Sequence, residues 1–281
     1  MNPLDRSLLI CTNGAPTGLG AIDYGCWLAG RLALPVTLLG IVEKPEHSAA
    51  VTKALEQARA DLEQAGIPCE VQKASGPARE IIIQTAQEGR HLVVMGSLGR
   101  PGWKRWLRGH AVRRLLPHLK PPLLYVPQAH LRLERILLCT GALSHARSAE
   151  CWALALARKT GARLSILHVT ESVYYHYPTA EKLRTHWRDL LETDIPQAQH
   201  LRELKAEAEA LGLSVELRLR QGTVIQTILH EAQQGFDLLV MGSRYSVHSL
   251  RVHYQPDVTA DVMEALTIPT LAVQAGQECI L

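Results

Sequence analysis

The chain has 281 residues, 47% of them hydrophobic and 20% charged, with a net charge of +3. These values describe a globular protein long enough for two domains that each bury a core, and they exclude a disordered or fibrous chain. The charge is too small to make nucleic acid the default partner, so the basic residues matter only where they concentrate.

The elements alternate along the first half. Ser7 to Cys11 is a short apolar run that predicts strand one, and Gly18 to Ala33 carries apolar residues at helical spacing. Pro35 to Val42 reads as strand two, His47 to Ala65 as a helix ended by Gly66, and Pro68 to Lys73 as strand three. Gly76-Pro77 opens a helix to Glu88, with Gly89 just past its end. His91 to Met95 is strand four, Gly109 to Leu119 helix four, and Pro122 to Val126 strand five. Strands that are apolar on both faces and alternate with helices require a parallel sheet covered on both sides.

The pattern is then written again. Leu9-Ile10-Cys11-Thr12 recurs as Leu137-Leu138-Cys139-Thr140, Cys26-Trp27 as Cys151-Trp152, and Gly89 to Ser97 as Gly235 to Ser243. Strands are expected at Arg135 to Cys139, Arg163 to Val169, Ser214 to Leu219, Asp237 to Met241 and Pro269 to Val273. The order of the matches is kept but their spacing grows, which places an aromatic insertion at Val173 to His200 in the second copy, suited to cover a sheet edge, face a partner or line a small pocket. The fold class is therefore α/β, two tandem doubly wound five-stranded parallel-sheet domains over residues 1–130 and 131–281. Strand five of each copy would otherwise be an exposed edge, so the copies are expected to pack as an internal pseudo-dimer. Trp27 and Trp152, taken as equivalent, are expected in the core.

Met95 to Pro127 joins the apolar end of strand four to glycines at 96, 99 and 109 and to six cations, Arg100, Lys104, Arg105, Arg108, Arg113 and Arg114. A glycine loop feeding a helix start under positive charge fits an anion such as a nucleotide phosphate. A solvated helix face is the plainer reading of the charges. Trp103 and Trp106 among them suit stacking on single-stranded nucleic acid or a simple packing pair, and nucleic acid is the less favoured partner. The thirteen histidines include His168, His176, His186 and His200 near the insertion, without ligand spacing for a metal. No nucleophile elbow or P-loop lysine occurs, so the reading leans away from an enzyme. Six scattered cysteines without a C-x-x-C pair predict buried reduced thiols, and the absence of an apolar leader or an apolar stretch of about 18 residues predicts a cytoplasmic protein with no membrane contact.

The stretch V-V-M-G-S-x-G after strand four of a five-stranded α/β unit resembles the universal stress protein family, and the resemblance extends over both copies. Nucleotide-binding members of that family carry G-x2-G-x9-G-[ST]. Here the residues are Gly96-x2-Gly99-x9-Gly109-His110, with His110 where a small hydroxyl residue stands in the family. The family's Asp-Gly after strand one is Asn13-Gly14. The resemblance implies an adenine nucleotide alpha hydrolase-like fold and a stress-response regulatory protein that binds ATP, ADP or AMP, with magnesium accompanying ATP. It implies Thr12, Asn13 and Gly14 at the ribose end, with Asn13 accepting from a ribose hydroxyl through its carbonyl oxygen. It also implies Val42 near the adenine, and Gly96, Ser97, Gly99, Arg100, Gly109, His110 and Ala111 around the phosphates. In copy two Tyr245, Gln255 and Pro256 are read as replacing Gly99, Gly109 and His110, and Thr140-Gly141 as replacing Asn13-Gly14, so no nucleotide is expected there. The alternatives are a nucleotide-free stress-response interaction or scaffold module, and a slow nucleotide hydrolase. Protein partners are not named by the sequence, and a homo-oligomer of tandem chains is compatible with it.

Overall fold

The computed structural model describes residues 2–97, 111–142, 146–170, 187–243 and 257–276. Copy one runs β1 (Ser7–Thr12), α1 (Pro16–Leu32), β2 (Val36–Val42), α2 (Ser48–Gln64), β3 (Cys69–Ser75), α3 (Ala78–Gln87), β4 (His91–Gly96), α4 (Ala111–Leu115) and β5 (Leu123–Val126). Copy two runs β6 (Arg135–Cys139), α5 (Arg147–Thr160), β7 (Arg163–Thr170), α6 (Pro196–Ala210), β8 (Val215–Gln221), α7 (Val224–Ala232), β9 (Leu238–Ser243), α8 (Val258–Ala265) and β10 (Thr270–Gln274). Every strand expected from the sequence is present. Residues 171–186 of the expected insertion lie outside the described residues; its remainder forms a 3-10 turn at Trp187–Glu192 and the start of α6.

All ten strands form one sheet in the order β3-β2-β1-β4-β5-β10-β9-β6-β7-β8. Pairing is parallel inside each copy and antiparallel only where β5 meets β10, through Tyr125 with Thr270, Leu124 with Leu271 and Leu123 with Ala272. The pseudo-dimer is thus a continuous sheet in which each copy covers the other's open edge. The inner strands β1 and β2 are buried almost throughout, whereas the terminal strand β3 alternates half-buried and exposed positions, as an edge strand must.

One apolar core spans both copies on the face covered by α1, α2, α5 and α6. On the other face, Val112 and Leu115 of α4 share a core with Ala260 and Met263 of α8, and Arg113 forms an ion pair with Asp261 across the same contact. On the first face Arg31 donates to the Thr160 carbonyl at 3.2 Å, and the Arg6 guanidinium lies 5.5 Å from the Trp152 ring centre.

Strand registers correct two of the expected equivalences. Leu8 and Ile136 hold the same register against β2 and β7, as do Val36 and Leu164; each pair stands 128 residues apart. Ala33 and Gly161, the left-handed residues ending α1 and α5, have the same offset. A continuous helix admits no gap, so Trp152 replaces Tyr24 rather than Trp27. Tyr24 is fully buried and Trp152 nearly so, while Trp27 is half-buried beside Tyr24. By the same offset Asn13-Gly14 corresponds to Gly141-Ala142, not to Thr140-Gly141.

Candidate functional site

The carboxyl ends of β2, β1 and β4 lie side by side where the strand order of copy one reverses, the place where open α/β sheets hold ligands. At the end of β1 the buried Thr12 uses Oγ1 to accept the Gly14 N–H at 3.1 Å, and Asn13 Oδ1 accepts the Ala15 N–H at 3.1 Å. Such short side-chain turns are what Thr and Asn form where a strand gives way to a helix. Gly14 sits at a φ of 72°, and a Cβ there would lie 2.6 Å from the Val51 nitrogen at the start of α2. The turn and the helix approach both require glycine.

Gly96 closes β4. An added Cβ would lie 2.8 Å from Ala21 Cβ on α1 and 3.3 Å from the Val126 carbonyl oxygen. Gly96 thus has a packing reason independent of any ligand. Ser97 follows it, and its carbonyl oxygen accepts weakly from Thr17 Oγ1 at 3.5 Å. Val42 is 7% exposed, and its carbonyl accepts the Gly76 N–H at 3.1 Å; Thr170 and Gly222 repeat that bond in copy two. One acceptor position of Val42 is therefore committed to the fold.

Thr12, Asn13, Gly14, Gly96 and Ser97 come together, with Val42 one strand away. Gly99, Arg100, Gly109 and His110 lie outside the described residues, and Ala111 begins α4. Arg113, one of the six clustered cations, is engaged by Asp261 of the other copy and is removed from the expected phosphate-facing set.

Copy two departs further than its glycine losses suggest. Leu124 and Leu271, and Ala111 and Val258, stand 147 apart, one more than Val94 and Val240. The position before α4 is His110, so its counterpart is Asp257 rather than Pro256. No glycine stands between Ser243 and Asp257. Asp257 caps α8, accepting the Ala260 N–H at 3.1 Å. A carboxylate of the chain itself thus occupies the helix N-terminus where an anion would bind, and burial pushes that carboxyl up from its ordinary value.

Behind Thr140 lies a polar cluster that the sequence reading missed. Glu150, fully buried on α5, accepts from Thr140 Oγ1 at 2.7 Å and from His200 Nε2 at 2.9 Å. His168 Nδ1 donates to the Thr140 carbonyl at 3.0 Å, and burial lowers the pKa of its imidazole. The offsets place Glu150 at Ile22, His168 at Gly40 and His200 at Ala54, so three small or apolar positions of copy one became ionisable together. The signal was present in the sequence: a glutamate in the middle of the apolar face Ser148-Ala149-Glu150-Cys151-Trp152-Ala153. Among the described residues no group of three His, Cys, Asp or Glu side chains is placed to hold a metal ion. Cys11, Cys26, Cys69 and Cys139 are free thiols, and burial pushes the Cys11 thiol up to about 12. No described helix is long and apolar enough to cross a membrane.

Two doubly wound parallel units, fused through antiparallel pairing of their fifth strands into one sheet, define a tandem doubly wound α/β protein. The profile of the Universal stress protein family matches residues 6–127 and again 132–274, and the chain belongs to that family. Among solved structures it is similar to a universal stress protein from Archaeoglobus fulgidus DSM 4304, at 19% identity and a TM-score of 0.71, covering 97% of each chain. It is also similar to a functionally unknown protein from Pseudomonas aeruginosa PAO1, at 18% identity and a TM-score of 0.68, covering 97% of this chain and 94% of that one. No curated protein sequence gives a significant match.

Proposed function

We infer that the protein is a regulatory universal stress protein whose copy one binds an adenine nucleotide and whose copy two does not. The observation that carries this reading is the contrast between two copies on one frame. Copy one carries Gly99 and Gly109 between β4 and α4, whereas copy two, which keeps Gly242 in β9, has no glycine between β9 and α8 and caps that helix with its own Asp257. Since the sheet persists in both, the fold alone does not demand Gly99 and Gly109, and a phosphate would use the backbone they free. Asn13, Ser97 and the loop from Gly99 to Ala111 would then flank ATP, ADP or AMP, with magnesium alongside ATP. The free thiols of Cys11, Cys26, Cys69 and Cys139 suit a reducing compartment, which for this reading is the cytoplasm.

Titration calorimetry and thermal melting of the full chain with ATP, ADP and AMP test the proposal. A ligand at 100 times its Kd stabilises the folded state by about 2.7 kcal/mol. Gly99→Tyr, which imports the side chain of copy two, is expected to abolish both heat and shift while leaving the unliganded melting temperature within a few degrees. No heat at millimolar ligand would leave the chain as a nucleotide-free interaction module.

A further inference from the structure

The amino ends of β1, β2 and β4 open on a cleft of about 680 Å³, at the far end of the strands from the glycine loop and within the usual size of a small-molecule site. Both copies line it. Arg6 and Arg90 come from the residues that enter β1 and β4, Ala33 and Pro35 from the link between α1 and β2, and Lys159 from the last turn of α5 in copy two. Arg6 is held in place, with its Nε donating to the Pro3 carbonyl at 3.1 Å and its guanidinium against the Trp152 ring. Arg90 reaches Asp5 only at 3.9 Å, and that carboxylate is 75% exposed, so water screens it. Lys159 has no partner among the described residues. Three cations thus meet one solvated carboxylate beside a wall of Leu4, Ala33 and Pro35.

The fold does not require this excess of charge, because copy two lacks it. Leu8 pairs with Leu92 as Ile136 pairs with Leu238, so Arg6, Arg90 and His91 correspond to Glu134, Phe236 and Asp237. In copy two Asp237, 4% exposed, pairs with Arg132 at 2.7 Å and accepts the N–H groups of Glu134 and Arg135. His91 brings no negative charge to the same place in copy one. Arg31, the counterpart of Lys159, is committed to the Thr160 carbonyl. Cations that lack a buried counter-ion and border exposed apolar surface suit a ligand that supplies both a negative charge and an apolar body. We propose that this cleft binds an organic anion, an acid group carried on an apolar body, and that the ligand ties the copies together through Arg90 of copy one and Lys159 of copy two. A carboxylate and a phosphate monoester both supply such an acid group. The site is independent of any nucleotide at the glycine loop.

Fluorescence titration of the full chain with 8-anilinonaphthalene-1-sulfonate, an acid group on an aromatic body, provides the test. Saturable binding is expected, and Arg90→Glu and Lys159→Glu are each expected to weaken it about tenfold, the scale of one charged hydrogen bond. Lys53→Glu, which reverses an exposed charge on α2, is expected to leave it unchanged. Melting temperatures equal to that of the unaltered chain establish that the variants fold. Octanoate and octyl phosphate then compete with the probe, and the stronger competitor identifies the acid group. Absence of saturable binding, or binding unchanged by both Arg90→Glu and Lys159→Glu, would overturn the inference. Displacement by inorganic phosphate as effective as that by octyl phosphate would also overturn it, because the apolar wall would then contribute nothing.

Discussion

Glu150 has no exposed surface, and a buried carboxylate is tolerated only when its oxygens are met by donors. Thr140 and His200 meet them, and the carboxylate between α5 and α6 is fully buried. His200→Ala is therefore expected to cost about 1–3 kcal/mol in urea unfolding, the order seen when a buried acceptor loses its donor. His200→Gln can place an amide donor toward Glu150 and should cost less than half as much. Equal costs for the two variants would mean that the contact contributes through packing rather than through the hydrogen bond. Local propensity announces only the misplaced glutamate of that cluster. Glu150, His168 and His200 lie on three different elements, and only the structural offsets show that they replace Ile22, Gly40 and Ala54 around Thr140, which ends β6 as Thr12 ends β1.

At the scale of elements, the two glycines that end β4 and β9 look alike in sequence but meet different surroundings. A Cβ on Gly96 would press on Ala21 at 2.8 Å and on the Val126 carbonyl, while one on Gly242 would stand 3.9 Å from Ala149, an ordinary contact. Gly96→Ala should destabilise the protein by roughly 1–3 kcal/mol, the usual cost of overpacking, and Gly242→Ala by less than 0.5 kcal/mol, within the range of tolerated substitutions. Paired thermal or urea denaturation checks this; similar losses for both would show that α1 moves to accommodate the methyl group. The example marks what sequence could deliver. Strands such as Arg135–Cys139 and helices such as α1 were legible because apolar periodicity and glycine or proline boundaries are local properties. The glycine motif identified the ligand end, but it could not separate Gly96, held by α1, from Gly99. Matching Cys26-Trp27 to Cys151-Trp152 likewise followed residue identity, while the continuity of the helix required Tyr24 and Trp152 to correspond. The direction of the Asn13 amide depends on a hydrogen bond from the Ala15 N–H that composition cannot reveal.

For the whole molecule, the joint between β5 and β10 explains why the duplication is stable as one chain. Its register places Leu124 opposite Leu271, which are themselves equivalent positions, with Tyr125 opposite Thr270 and Leu123 opposite Ala272 on either side. Substituting a second β5 for β10 would set Leu124 opposite Leu124 and Leu123 opposite Tyr125 in both directions, the self-complementarity of a two-fold interface. On the helix face, Arg113 and Leu116 would stand where Ala260 and Met263 now meet Val112 and Leu115. Residues 1–130 expressed alone therefore expose an unpaired edge whose register fits a second copy of itself, and they are expected to form a dimer at micromolar concentration. Arg113 would lose Asp261, whose equivalent in copy one is Arg114, so the dimer should be weakened by like charge and become tighter as salt rises. Sedimentation equilibrium at two ionic strengths measures both effects. A monomer under all conditions would mean that the joint depends on residues particular to copy two, Asp261 foremost, and that the sheet register alone does not hold the halves together.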